Sequence, residues 1–121
     1  MSKRILVIDD SESMRILVTM ILESAGHKVQ HAIDGTDALS FLDGRNFNLI
    51  LTDLNMPNMD GISFITHVRT LDRYRGIPII MLTTESLASF KERARAAGAT
   101  GWIVKPFIAG ELLAVINKVM R

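Results

Sequence analysis

Apolar runs and amphipathic segments alternate along the whole chain. Ile5 to Ile8 is an unbroken aliphatic run that stops at Asp9-Asp10, the pattern of a strand covered on both faces of a parallel sheet. Ser11 or Ser13 then caps a helix with Leu17, Met20, Ile21 and Ser24-Ala25 on one face, closed by Gly26. The same unit recurs. Lys28 to Ala32 is a short, more polar strand suited to a sheet edge, and Asp34-Gly35 leads into a helix with Ala38, Leu39 and Leu42 inward before Gly44. Leu49 to Leu51 is a third buried run, ending in Asp53 and turned by Pro57, which has no backbone donor and biases Met56 away from the helical region. Asp60-Gly61 opens a third helix with Ile62, Phe64, Ile65, Val68 and Leu71 inward, and Arg69, Arg73 and Arg75 are expected on its solvated face and the loop beyond. Ile77 to Leu82 predicts a fourth strand ending at Thr83-Thr84. The fourth helix, Ser86 to Ala97, has a stripe of Leu87, Phe90, Ala94 and Ala97; being poor in large side chains, it should be held less firmly than its neighbours. Trp102 to Val104 forms a fifth strand ending at Lys105-Pro106, and a last helix turns Leu112, Leu113, Ile116 and Met120 inward.

Strand–helix units joined by short links imply an α/β fold: one doubly wound (βα)5 parallel sheet with right-handed crossovers and helices on both faces. Such sheets place ligand chemistry at the carboxyl ends of their strands. Here those tips carry Asp9-Asp10, Asp53, Thr83 and Lys105, while the edge strand carries nothing comparable.

Composition narrows this picture. At 121 residues the chain is one domain, residues 1–121, and because the last helix ends with the chain no output domain is expected. With no cysteine there are no disulfides and no thiolate metal sites, which suits a cytoplasmic location. Fourteen basic and thirteen acidic residues leave a charge of +1, so no global field draws the chain to nucleic acid or membrane. The run Ile5 to Ile8 falls short of the roughly 7–15 residues of a signal-peptide core, and no run approaches the roughly 20 of a membrane span.

Asp9, Asp10 and Asp53 brought together repel unless cations neutralise them. Lys105 supplies one charge and Mg²⁺ would supply two; Mg²⁺ prefers oxygen ligands, one or two carboxylates with water and phosphate oxygens. Asp10 and Asp53, with Asp9 through water and a backbone carbonyl near Asn55, offer such a set. An ionised aspartate can attack phosphorus without a general base, and Mg²⁺, the Lys105 ammonium and the Thr83 hydroxyl suit the phosphoryl oxygens. The chain has no glycine-rich phosphate loop and no nucleophile elbow.

Asp9-Asp10-Ser11, Asp53-Leu54-Asn55-Met56-Pro57 with Asp60-Gly61, Thr83-Thr84-Glu85, and Ala97-Gly98-Ala99 leading through Trp102 to Lys105-Pro106-Phe107 resemble the receiver domain of two-component response regulators, in order and over essentially the whole chain. The resemblance is greatest to the stand-alone, CheY-like members. It implies a flavodoxin-like strand order of 2-1-3-4-5. It implies that Asp53 accepts a phosphoryl group from the phosphohistidine of a sensor histidine kinase or phosphotransfer protein, with Asp9, Asp10, Asp53 and the Asn55 carbonyl around Mg²⁺. Thr83 and Lys105 hold the phosphoryl oxygens, and the Lys105-Pro106 bond is cis. Thr83 and an inward-turning aromatic form the switch; the family commonly has tyrosine or phenylalanine where this chain has Trp102. The resemblance further implies an output by a shift of the fourth-helix, fifth-strand and fifth-helix face, read by a downstream protein such as a flagellar motor switch in chemotaxis, with the receiver itself expected to be monomeric and slow to dephosphorylate.

Alternatives stand beside this reading. One is a receiver acting as a phosphorelay intermediate. Another is a Mg²⁺-dependent phosphatase with Asp53 as nucleophile, although Asn55 stands where its acid–base carboxylate is needed. A third is a flavin carrier, whose phosphate loop would need donors where Asp9-Asp10 place negative charge.

Overall fold

Five short aliphatic runs become the strands of one parallel sheet in the computed structural model, which describes residues 3–120. In chain order the elements are β1 (Arg4–Ile8), α1 (Glu12–Ser24), β2 (Lys28–Ala32), α2 (Gly35–Leu39), β3 (Leu49–Asp53), α3 (Gly61–Val68), a 3-10 turn (Asp72–Tyr74), β4 (Ile79–Thr83), α4 (Ala88–Ala97), β5 (Gly101–Val104) and α5 (Ala109–Val119). The sheet order is β2-β1-β3-β4-β5, as the resemblance implies. Among the described residues no helix is long and apolar enough to cross a membrane.

Because side chains alternate along a strand, each run feeds two cores. Leu6, Ile8, Ile50, Ile79 and Met81 pack with Ala38, Phe64, Ile65, Val68 and Ala94 on one face. Ile5, Val7, Leu49, Leu51, Ile80, Leu82 and Ile103 pack with Val18, Leu22, Leu112 and Ile116 on the other. Covered on both faces, the central strands are aliphatic along most of their length and turn polar only toward their ends, and the register sets Ile8 beside Thr52, Asp53 beside Leu82 and Thr83 beside Val104. The carboxyl ends of four strands therefore form one rim.

The inward face of α1 differs from the expectation. Val18 and Leu22 are buried with Ile21 packed beside them, whereas Leu17 and Met20 are 46% and 64% exposed. The helix is apolar around much of its circumference, so periodicity allows more than one stripe, and packing against α5 and the sheet decides between them. Ser11 is its cap, accepting from the Met14 amide. α2 is shorter than expected: the Ser40 hydroxyl bonds the Asp37 carbonyl at 2.6 Å, a local competitor of helix continuation, and Leu39 and Leu42 pack on the core from its end.

Arg69 is a further correction, because it does not lie on a solvated face. Its guanidinium turns under the carboxyl end of α4 and donates to Gly98 O at 2.7 Å, Ile77 O at 2.6 Å and Arg75 O at 2.9 Å. Helix α4 ends there in Gly98, with φ +112°, and a Cβ at that position would meet the Arg69 side chain at 2.8 Å. The guanidinium thus collects carbonyls that the chain reversal leaves unpaired, beside the negative end of a helix dipole. At its other end α4 has no side-chain cap, and Ala94 is its one buried residue.

Candidate functional site

The rim gathers side chains far apart in sequence. β1 runs directly into Asp9, which is 2% exposed, and the Ser11 amide donates to Asp9 Oδ1 at 2.9 Å. β3 ends in Asp53, whose Oδ1 accepts from the Leu54 amide at 2.8 Å. The amide of Lys105 bonds the Thr83 carbonyl at 2.7 Å, which ties the end of β5 to the end of β4 and turns the lysine inward. Its Nζ stands 3.0 Å from Asp9 Oδ2 and 3.5 Å from Asp53 Oδ1. The Lys105-Pro106 bond is cis.

Carboxylate oxygens of Asp9, Asp10 and Asp53 all lie within 4.8 Å of one another. Fully ionised, these acids and one ammonium leave a charge of about −2, which a single divalent cation would balance. Oxygen ligands at roughly 2.0–2.1 Å from Mg²⁺ span about 4 Å across an octahedron, so the oxygen-only donor set fits that ion in chemistry and in scale. Burial holds the Asp53 carboxyl above its ordinary range; Lys105 opposes the rise and Asp9 adds to it. Asp10 is exposed at the mouth of the cluster, and Asn55 is exposed on the loop after Asp53.

Thr83 ends β4, 1% exposed, and its hydroxyl accepts from the Glu85 amide at 3.1 Å. Trp102, one strand over, donates its indole N–H to the Glu85 carbonyl at 2.9 Å while its ring packs on the α3/α4 side of the sheet. The Glu85 carboxylate accepts from the amides of Ser86 and Leu87 at 3.2 and 3.1 Å. Thr83 and Trp102 therefore meet through the main chain of the residue that leads into α4.

Two residues of the rim escape sequence reasoning. Arg15 reaches back from α1 and donates to the Asp9 carbonyl at 2.6 Å. Asp34 follows β2, the edge strand expected to carry nothing comparable, yet it is a buried carboxylate at 4% exposure. Its Oδ1 accepts from the Asp37 amide at 2.8 Å and its Oδ2 from Asn58 Nδ2 at 2.7 Å. The Asp37 amide and the Asn58 side chain hold its carboxyl below the usual range against the opposing effect of burial. The Asp34-Gly35 sequence signals the helix cap, but nothing local signals the contact with Asn58.

Comparison with known proteins converges on one family. The family described as the response regulator receiver domain matches residues 5–117. The chemotaxis protein CheY of Pseudomonas aeruginosa is 38% identical over 119 residues, 98% of this chain and 96% of that protein. The chemotaxis response regulator CheY4 of Vibrio cholerae superposes with a TM-score of 0.94 at 41% identity, covering 98% of this chain and 99% of that one. The receiver domain of a Pseudomonas aeruginosa sensor histidine kinase, solved with a magnesium ion coordinated in its active site cleft, superposes with a TM-score of 0.91 at 28% identity, covering 99% of this chain and 98% of that one.

Proposed function

The chain belongs to the response regulator receiver family, and from that premise we propose that Asp53 accepts a phosphoryl group from a phosphohistidine of a sensor histidine kinase or phosphotransfer protein. One observation carries the reading: Asp53 sits beside Asp9 and Asp10 with the Lys105 ammonium at 3.5 Å. An Asp53 carboxylate oxygen forms the new O–P bond as the P–N bond breaks, and the imidazole leaves with the electron pair and takes up a proton. Bound Mg²⁺ supplies charge neutralisation for the phosphoryl oxygens; Asp9, Asp10, Asp53 and the Asn55 carbonyl would hold it. Lys105 and the Thr83 hydroxyl take phosphoryl oxygens.

Phosphorylation adds about −1.5 to −2 charge and three acceptors at Asp53. Thr83 gives up the Glu85 amide for a phosphoryl oxygen, Trp102 turns into the space behind the hydroxyl, and α4 moves with the Glu85 segment. A hydrogen bond to a charged group contributes about 1.5–3 kcal/mol, and the upper half of that range lifts a state populated at a few per cent to a majority. The face formed by α4, β5 and α5 then presents the signal to a protein partner.

The chemotaxis relatives, matched over nearly their whole length, favour a role in chemotaxis, and within this proposal the receiver, residues 1–121, is stand-alone, monomeric and cytoplasmic and acts on a flagellar motor switch rather than on nucleic acid or membrane. The kinase-borne receiver among the structural relatives keeps a phosphorelay intermediate as the second reading. Response regulator receivers are signalling modules, and slow self-dephosphorylation is the turnover expected here. The test is labelling by an acyl phosphate with Mg²⁺: the wild-type chain takes one phosphoryl group, Asp53→Asn takes none, and Trp102 fluorescence changes with beryllofluoride. Stoichiometric labelling of Asp53→Asn moves the acceptor elsewhere, and steady turnover of a phosphomonoester favours the phosphatase.

A further inference from the structure

The loop from Leu54 to Asp60 joins Asp53 to α3 and carries Asn55. At its base the Gly61 amide bonds the Leu54 carbonyl at 2.8 Å. At its crest Asn58 is left-handed, with φ +68°, a conformation that side chains other than glycine adopt rarely and asparagine most readily. Met56 and Met59 pack on the core edge, but apolar contacts set no direction. Among the described residues, one hydrogen bond ties residues 55–59 to another part of the chain: Asn58 Nδ2 to Asp34 Oδ2, 2.7 Å. Beside it the chains approach closely, since a Cβ on Gly35 would stand 2.9 Å from Met59 Cγ.

From this geometry we infer that Asp34 is a positioning residue for the Asp53 site: clasping Asn58 from the β2–α2 turn, it holds the left-handed crest and so fixes where the Asn55 segment stands relative to Asp53. The inference rests on the phosphoacceptor reading of Asp53. Asp34 does two jobs with its two oxygens. Oδ1 caps α2 through the Asp37 amide, and Oδ2 clasps the loop. Because the carboxylate is ionised and shielded from water, the clasp is a charge-assisted bond, and the loop keeps one geometry before any ion or phosphoryl donor arrives. Preorganisation of this kind appears as affinity, because the ion need not order its ligands.

Two substitutions separate the jobs. Asp34→Ser keeps a capping oxygen but is too short to reach Asn58, and Asn58→Gly keeps the left-handed turn without the amide. Each is expected to speed amide hydrogen exchange over residues 55–59 of the metal-free chain and to raise the dissociation constant for Mg²⁺ alone, measured by calorimetry, by about tenfold, the loss of one hydrogen bond to a charged group. The double variant should go no further than either single one, since both remove the same contact. Asp34→Asn should fall between wild type and Asp34→Ser in both readouts, because the Asn58 amide can turn over to accept but the bond is no longer charge-assisted. If Asp34→Ser lowers only the melting temperature, leaving Mg²⁺ affinity and exchange at 55–59 unchanged in a chain that still labels at Asp53, Asp34 is a helix cap and the inference is overturned. If the wild-type chain neither binds Mg²⁺ nor labels, the phosphoacceptor reading itself fails, whatever exchange shows.

Discussion

Gly61 opens α3 directly behind the acceptor, and alanine there provides a demanding test of the geometry. A Cβ on Gly61 would stand 2.3 Å from the carbonyl oxygen of Asp53, with Leu54 Cα and Met81 Cε at 3.1 Å. The first obstacle is backbone, so no rotamer change relieves it; either α3 lifts from the sheet or the end of β3 moves. Lifting α3 loosens Phe64, Ile65 and Val68, all fully buried, in an interior packed too closely to absorb a displacement of that size. Overpacking costs about 1–3 kcal/mol, and a backbone obstacle places this case at the upper end. The better helix propensity of alanine returns up to about 1 kcal/mol, leaving a net loss of about 2 kcal/mol. With roughly 2.1 cal/mol/K of unfolding entropy per residue, a chain of 121 residues should lose about 8 °C in melting temperature. Labelling at Asp53 should slow as well, because the carboxylate rides on the displaced carbonyl. Gly110 is the control: in α5 a Cβ there has nothing within 4 Å, so Gly110→Ala should be stabilising by about 0.5–1 kcal/mol. Thermal melts followed by circular dichroism, with acyl-phosphate labelling alongside, measure both. A Gly61→Ala chain that melts within a degree or two of wild type and labels at the same rate would refute the reasoning.

Asp53→Asn should be more stable than wild type at neutral pH without divalent ions. The folded chain holds the Asp53 proton more tightly than the unfolded one, so wild-type stability falls as pH rises from the ordinary value of 3.8 through the raised folded one. The advantage of the variant should shrink as pH falls through that window and vanish below it; a constant advantage at every pH would point to packing instead. Arg69→Met should cost about 2–4 kcal/mol in urea unfolding, because it strips donors from the carbonyls of Gly98, Ile77 and Arg75, and a loss below about 1 kcal/mol would mean that water replaces the guanidinium. Trp102→Phe removes the indole bond to Glu85 and should speed amide exchange over residues 85–88 in the unphosphorylated chain; unchanged exchange there would show that the ring, not the N–H, holds the segment.

The strands and the acidic rim were legible because each rests on a local signal: an aliphatic run that stops at a charged or hydroxyl side chain. Folding a parallel sheet then lines up the stops without further information from the sequence. The inward face of α1 was not legible, since Leu17 and Met20 satisfy helical periodicity as well as Val18 and Leu22 do. The early end of α2 turns on one hydroxyl, that of Ser40. Arg69 and Asp34 escaped for a different reason. Each looks like an ordinary surface charge or cap beside its neighbours, and each acts on residues more than twenty positions away, Gly98 in one case and Asn58 in the other.

The meeting of Thr83 and Trp102 on Glu85 has a consequence for how freely this corner can vary. One contact uses the amide of residue 85 and the other its carbonyl, so the connection between them runs through the backbone, and the carboxylate, which bonds the Ser86 and Leu87 amides instead, is no part of it. Lysine or alanine could replace the glutamate without cutting the connection. Proline, lacking the N–H, would cut it.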